Sequence, residues 1–146
     1  MDDERILNQL IETAEILKKQ IEGLNIQLEL IKEQINEHLN TIETLKGYKN
    51  ATDENIYIDA GSSTYLFFQA MPNKNALIRI GSDVYVEYNL DKAIEILNER
   101  INDLKSVENK AVEEINKLSD QYNSVQEKIE RVYSRLSGRN RNVQGA

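Results

Sequence analysis

Residues Ala76 to Lys105 read ALIRIGSDVYVEYNLDKAIEILNERINDLK, and the periodicity of this stretch changes once. Up to Tyr88 the apolar residues stand two apart: Ala76, Ile78 and Ile80, then Val84, Val86 and Tyr88 beyond Gly81-Ser82-Asp83. That is the pattern of a β-hairpin. From Leu90 the steps become four, three, four and three through Ile94, Leu97, Ile101 and Leu104, the pattern of a coiled-coil seam. A hairpin therefore feeds directly into a long helix, with Asn89 or Asp91 placed to cap its start.

Downstream the seam continues through Ala111, Ile115, Leu118, Tyr122, Val125, Ile129, Val132 and Leu136, with Glu108 in its one polar slot. Gly138 follows the last seam residue, in the position of a helix stop. The first third carries the same spacing at Leu7, Leu10, Ala14, Leu17, Ile21, Leu24, Leu28, Ile31, Ile35, Ile42 and Leu45, with His38 in the polar slot. Gly47 then reads as a helix breaker.

Residues 50 to 55 are polar. Ile56-Tyr57-Ile58 and Thr64 to Ala70 form a second pair of strand-like runs around Ala60-Gly61-Ser62-Ser63, and Pro72-Asn73-Lys74-Asn75 separates the two pairs. Isolated hairpins are marginal in water, and Tyr65, Leu66, Phe67 and Phe68 place apolar side chains on both faces of one strand. The strands are therefore expected to seek further partners.

The expected fold is mainly α with a small β part: an antiparallel coiled-coil hairpin with two β-hairpins inserted between its helices. Its parts are a helix over 1–46, a two-hairpin linker over 47–89, a helix over 90–137 and a flexible tail over 138–146. Matching Leu45 with Leu90 puts His38 near Leu97 and brings both termini to the end away from the strands.

Composition narrows the function. Only 40% of the 146 residues are hydrophobic, with no Trp and two Phe, while 29% are charged. This suits a thin seam with a solvated exterior better than a thick core. Residues 1 to 45 hold ten carboxylates against four basic residues, which argues against binding nucleic acid, since that requires a basic stripe. No apolar run approaches the roughly 18 residues of a membrane span. The acidic start Met1-Asp2-Asp3-Glu4 is unlike a secretory signal, and there is no cysteine. The expected setting is the cytoplasm, with no membrane partner.

Catalysis has little to build on. His38 is the sole histidine, and with Glu33 and Glu37 beside it the ligand set for a metal is thin. Gly61 and Gly81 stand singly, without a nucleotide-binding loop. Asn50-Ala51-Thr52 matches a glycosylation pattern that is common by chance. The expectation is a protein that is not an enzyme and uses no cofactor or metal. Apolar stripes instead widen at the outer ends, where Ile6 and Ile11 join Leu7 and Leu10, and Tyr133 joins Val132 and Leu136. Widened stripes of this kind mark protein contacts.

The order of parts, with Ile56-Tyr57-Ile58-Asp59-Ala60-Gly61-Ser62-Ser63 as first strand and turn and Ala76 to Tyr88 as second hairpin leading into Leu90-Asp91-Lys92-Ala93, resembles the prefoldin family. Two hairpins rather than one point to its archaeal alpha class. The resemblance implies an ATP-independent holding chaperone whose coiled-coil tips bind unfolded polypeptides and pass them to a group II chaperonin. It also implies a hexamer of two alpha and four beta-class subunits, joined through hairpin strands. On that basis Ile6, Leu7, Leu10, Ile11, Val132, Tyr133 and Leu136 would contact clients, and Ile56, Ile58, Tyr65, Phe67, Ile78, Ile80, Val84 and Val86 would serve assembly. The alternative is a structural coiled-coil subunit that assembles with itself into a homo-oligomer or filament.

Overall fold

The computed structural model describes residues 2–51 and 55–144. Its elements, in order, are α1 (Asp2–Asn50), β1 (Asn55–Gly61), β2 (Thr64–Gln69), β3 (Asn75–Gly81), β4 (Val84–Asn89) and α2 (Leu90–Gln144). The fold is mainly helical, with two antiparallel hairpins between two long helices. Contacts divide it into two units, one of residues 1–32 with 107–146 and one of residues 33–106.

In the first unit α1 and α2 pack antiparallel. Ala14 and Leu17 from α1 bury against Leu118 and Val125 from α2, with Leu10, Ile21, Leu24, Tyr122 and Ile129 half-buried around them. This is the predicted heptad seam, and its small cross-section follows from the lack of large aromatics. Where the two helix ends meet, Arg139 lies 2.9 Å from the carboxylate of Asp3, a side chain otherwise nearly out of solvent.

In the second unit the seam runs through buried Ile35, Ile42, Leu90, Ala93, Leu97 and Ile101. Asn89 caps α2, its side-chain oxygen accepting the Lys92 N–H at 2.8 Å. Asp91, the other capping candidate, pairs instead with Lys49 at 2.5 Å and ties the end of α1 to the start of α2. His38 shares a shallow groove with Arg100, Asp103 and Leu104, one turn further along α2 than Leu97. The register expected from facing Leu45 with Leu90 is therefore offset by about a turn.

Each hairpin is a separate two-stranded sheet. In the first, Ile56 faces Phe68 and Ile58 faces Leu66, while Tyr57 faces Phe67 and Asp59 faces Tyr65. In the second, Ala76 faces Tyr88 and Ile78 faces Val86, while Leu77 faces Glu87 and Arg79 faces Tyr85. The first turn is carried by Ser62 and Ser63, with φ of 52° and 57°, after Gly61 at 95°. At Gly61 a side chain would be strained, and the Asp59 carboxylate fixes the bend by accepting the Gly61 N–H at 2.8 Å.

Two helix ends differ from the sequence expectation. Gly47 does not break α1, which continues to Asn50; one glycine costs a helix only about 1 kcal/mol, and the true end is fixed by Lys74. The Lys74 ammonium donates to the carbonyls of Lys49 and Ala51 and stands 5.6 Å from the centre of the Tyr48 ring, a cationic C-cap. Gly138 likewise lies inside α2, which runs to Gln144 rather than giving way to a tail at 138. The polar linker and the Asn50-Ala51-Thr52 pattern fall partly on residues 52–54, and the last two residues of the expected tail are 145–146; these lie outside the described residues.

Candidate protein-binding surfaces

Two groups of side chains are candidates for binding other polypeptides, one in each unit. In the first unit the helical spacing separates seam residues from their neighbours. Val132 points inward and is 3% exposed, whereas adjacent Tyr133 is 64% exposed. Ile6 and Ile11 are 42% and 40% exposed, while Leu7, Leu10 and Leu136 are half-buried. The residues expected at the tip thus divide into an exposed set of Ile6, Ile11 and Tyr133, a half-buried set that widens it, and Val132. That last side chain holds the helices together and is not available to a partner.

In the second unit the hairpins expose apolar residues on both faces. Of the expected assembly residues, Ile58, Tyr65, Phe67, Ile80 and Val84 are exposed, and Ile56 and Val86 are half-buried. Ile78 differs: it is 7% exposed, buried within the subunit. It sits next to Arg79, whose carbonyl accepts a 2.7 Å bond from Arg100 of α2. This tether draws the β3–β4 hairpin onto the helix and removes Ile78 from any intermolecular surface.

The sequence reading of assembly residues leaves out Tyr57, Leu66, Phe68, Leu77 and Tyr85, all exposed. Tyr57 packs edge-on against Phe67, with ring centres 4.8 Å apart and planes at 72°. The strand register is the signal that finds these residues, because directly opposed side chains share a face. Among the described residues each hairpin pairs only with itself, so its outer strand edges offer backbone donors and acceptors to another strand.

An apolar groove of about 620 Å³ runs between the last turns of α1 and the first hairpin, lined by Thr44, Gly47, Tyr48 and Ala51 on one side and by Ile56, Ile58 and Phe68 on the other. Gly47 leaves this wall open, with nothing within 4 Å of where a Cβ would stand. Among the described residues no group of three or more His, Asp or Glu side chains could hold a metal ion. The Nδ1 of His38 lies 2.7 Å from the Gln34 carbonyl, a local helix contact. No described helix is long and apolar enough to cross a membrane.

Comparison with known proteins agrees with this geometry. The family described as prefoldin subunit matches residues 17–135. Prefoldin subunit alpha of Archaeoglobus fulgidus is 28% identical over 75% of this chain and 81% of its own length. Prefoldin subunit alpha 1 of Thermococcus kodakarensis is 32% identical over 70% of each chain. In fold, the chain is similar to one from the cryo-EM structure of filamentous PFD from Methanocaldococcus jannaschii, with a TM-score of 0.69, 17% identity, and coverage of 80% of this chain and 98% of that one. A matched family span that takes in both hairpins and most of both helices, with alpha-subunit relatives aligned over most of their length, shows that the chain belongs to the prefoldin family of chaperone subunits.

Proposed function

We propose that this subunit holds unfolded polypeptides without ATP, using the apolar residues where the two ends of its helix pair meet, and assembles through its hairpins. The observation that carries the first part is the exposure of Ile6, Ile11 and Tyr133 on helices whose seam is otherwise filled. Exposed apolar side chains on a charged helix pair gain by covering themselves with the apolar segments of an unfolded chain. Each contact is weak, and several such subunits in one assembly add their contacts by avidity. No fixed pocket is needed, so client choice is broad.

Assembly follows from the second unit. Open strand edges and aromatic residues on both hairpin faces fit strand addition from neighbouring subunits. The partners in this reading are beta-class prefoldin subunits, two alpha with four beta, and the held client passes to a group II chaperonin in the cytosol. A second reading has the hairpins pairing with further copies of this chain. It is favoured by the chain carrying two hairpins with open edges, and the related fold occurs in a filamentous assembly.

The test of holding is the aggregation of a thermally unfolding client, followed by light scattering in the presence of the assembled protein. Ile6→Asp with Ile11→Asp weakens suppression while the size of the assembly stays unchanged. Undiminished suppression contradicts the assignment of these residues. Loss of assembly would mean that they serve structure instead.

A further inference from the structure

The outer face of α1 carries a second apolar stripe that the seam does not use. Ile16, Ile26 and Leu30 are 58%, 64% and 54% exposed. With Lys19 and Gly23 they occupy positions 16, 19, 23, 26 and 30, steps of three and four that keep one helix face, opposite the seam of Ala14, Leu17, Ile21 and Leu24. The spacing is that of a coiled-coil contact for one more helix. All three exposed apolar side chains lie in the first unit.

Two observations say what fits there. First, the stripe has distinct borders. Glu15, Glu22 and Glu29 run along one side at intervals of seven, all exposed, and Thr13, Gln20 and Gln27 run along the other. Lys18 and Lys19 stand three and four positions from both Glu15 and Glu22, yet among the described residues Glu29 alone of the three glutamates forms an ion pair, with Lys32 at 3.8 Å. In a coiled coil, charges flanking the apolar positions set partner choice, so a row of carboxylates selects a partner with basic residues beside its own apolar seam. A second α1 laid antiparallel on this face would set the glutamate rows against each other, and the net charge of −7 opposes self-association further. Second, Gly23 sits in the middle of the stripe, where a glycine weakens a helix, with nothing within 4 Å of where a side chain would project. It leaves a notch through which a neighbouring helix could approach closely.

We infer that the outer face of α1 is a docking site for an amphipathic helix of a partner polypeptide that carries Lys or Arg beside its apolar seam. This site is separate from the tip residues Ile6, Ile11 and Tyr133, and it stands or falls independently of client holding there.

The test uses the full chain and two fluorescein-labelled four-heptad peptides with Leu at both seam positions, one flanked by Lys and one by Glu, followed by fluorescence anisotropy. The Lys peptide binds at least about tenfold more tightly than the Glu peptide, and the difference shrinks as salt is raised. Ile26→Asp with Leu30→Asp weakens the Lys peptide by about tenfold or more, with an unchanged far-UV circular dichroism spectrum because both side chains are solvent-facing. Gly23→Ala keeps the helix and weakens the peptide, and Glu15→Lys, Glu22→Lys and Glu29→Lys together reverse the preference. The inference is overturned if both peptides bind alike or if the Ile26/Leu30 variant binds as well as the parent chain. It is also overturned if Ile6→Asp, Ile11→Asp and Tyr133→Asp abolish peptide binding, which places the peptide at the tip. A lower mass of the unliganded Ile26/Leu30 variant in solution would show a second copy to be the occupant and would equally overturn it.

Discussion

Val132 and Tyr133 are neighbours in sequence with opposite surroundings, and truncating each to alanine separates seam from surface. Val132 is 3% exposed; Val132→Ala removes two methyl groups, at about 0.8 kcal/mol each for lost burial, with a further cost for the gap left in a seam that cannot collapse fully. About 2 kcal/mol results, which for a chain of this length lowers the thermal midpoint by about 4 to 8 °C. Tyr133 is 64% exposed, and Tyr133→Ala changes stability by no more than about 0.5 kcal/mol. Its exposed part amounts to roughly 130 Å² of a ring residue's surface, so complete coverage by a client contributes up to about 3 kcal/mol. Thermal melts followed at 222 nm, with client aggregation measured well below either midpoint, read both effects. Val132→Ala shifts the melt and spares holding; Tyr133→Ala spares the melt and weakens holding. Equal shifts in the two melts, or normal holding by Tyr133→Ala, would refute the division of residues between seam and surface.

Two further outcomes bear on the parts that place the hairpins. Gly61→Ala puts a side chain at φ of 95° and destabilises the first hairpin by about 1 to 2 kcal/mol, read as faster amide hydrogen exchange across β1 and β2; unchanged exchange would contradict the strain argument. Asn89→Ala removes the acceptor for the Lys92 N–H and costs about 1 kcal/mol, read as a lower thermal midpoint, whereas Asn89→Asp restores most of it. If Asn89→Ala melts as the parent does, Asn89 is not the cap that matters.

The seam was legible because it depends on spacing alone. Leu10, Ala14, Leu17, Ile21, Leu24, Leu118, Tyr122, Val125 and Ile129 are all found in one packed cluster or at its border. The strands were legible for the same reason, since alternation and turn residues are local. Helix ends were harder to read, because what fixes them is remote in sequence. Gly47 looks like a stop, but Lys74, 25 residues beyond Lys49, holds the actual end of α1. Gly138 looks like another, but Asp3 at the opposite end of the sequence engages Arg139 in the continuing helix.

Which apolar residues face outward was only partly legible. Tyr133 and Ile6 follow from a stripe wider than the seam needs, but Ile78 looks like Ile80 in an alternating strand, and only the Arg100 tether to Arg79 distinguishes the buried one. The stripe of Ile16, Ile26 and Leu30 has a regular spacing too. It is hidden within a pattern where the seam already accounts for most of the apolar residues, and exposure brings it out.

The chain belongs to the prefoldin family, and we propose that its hairpins assemble with beta-class partners. The mass of the purified chain in solution, alone and after mixing with a beta-class prefoldin subunit, tests it most directly by light scattering coupled to size exclusion. A small species alone that becomes a discrete hexamer containing two copies of this chain is the predicted result. A mixture in which the chain keeps the mass it has alone, or large open-ended species formed without any partner, would contradict it.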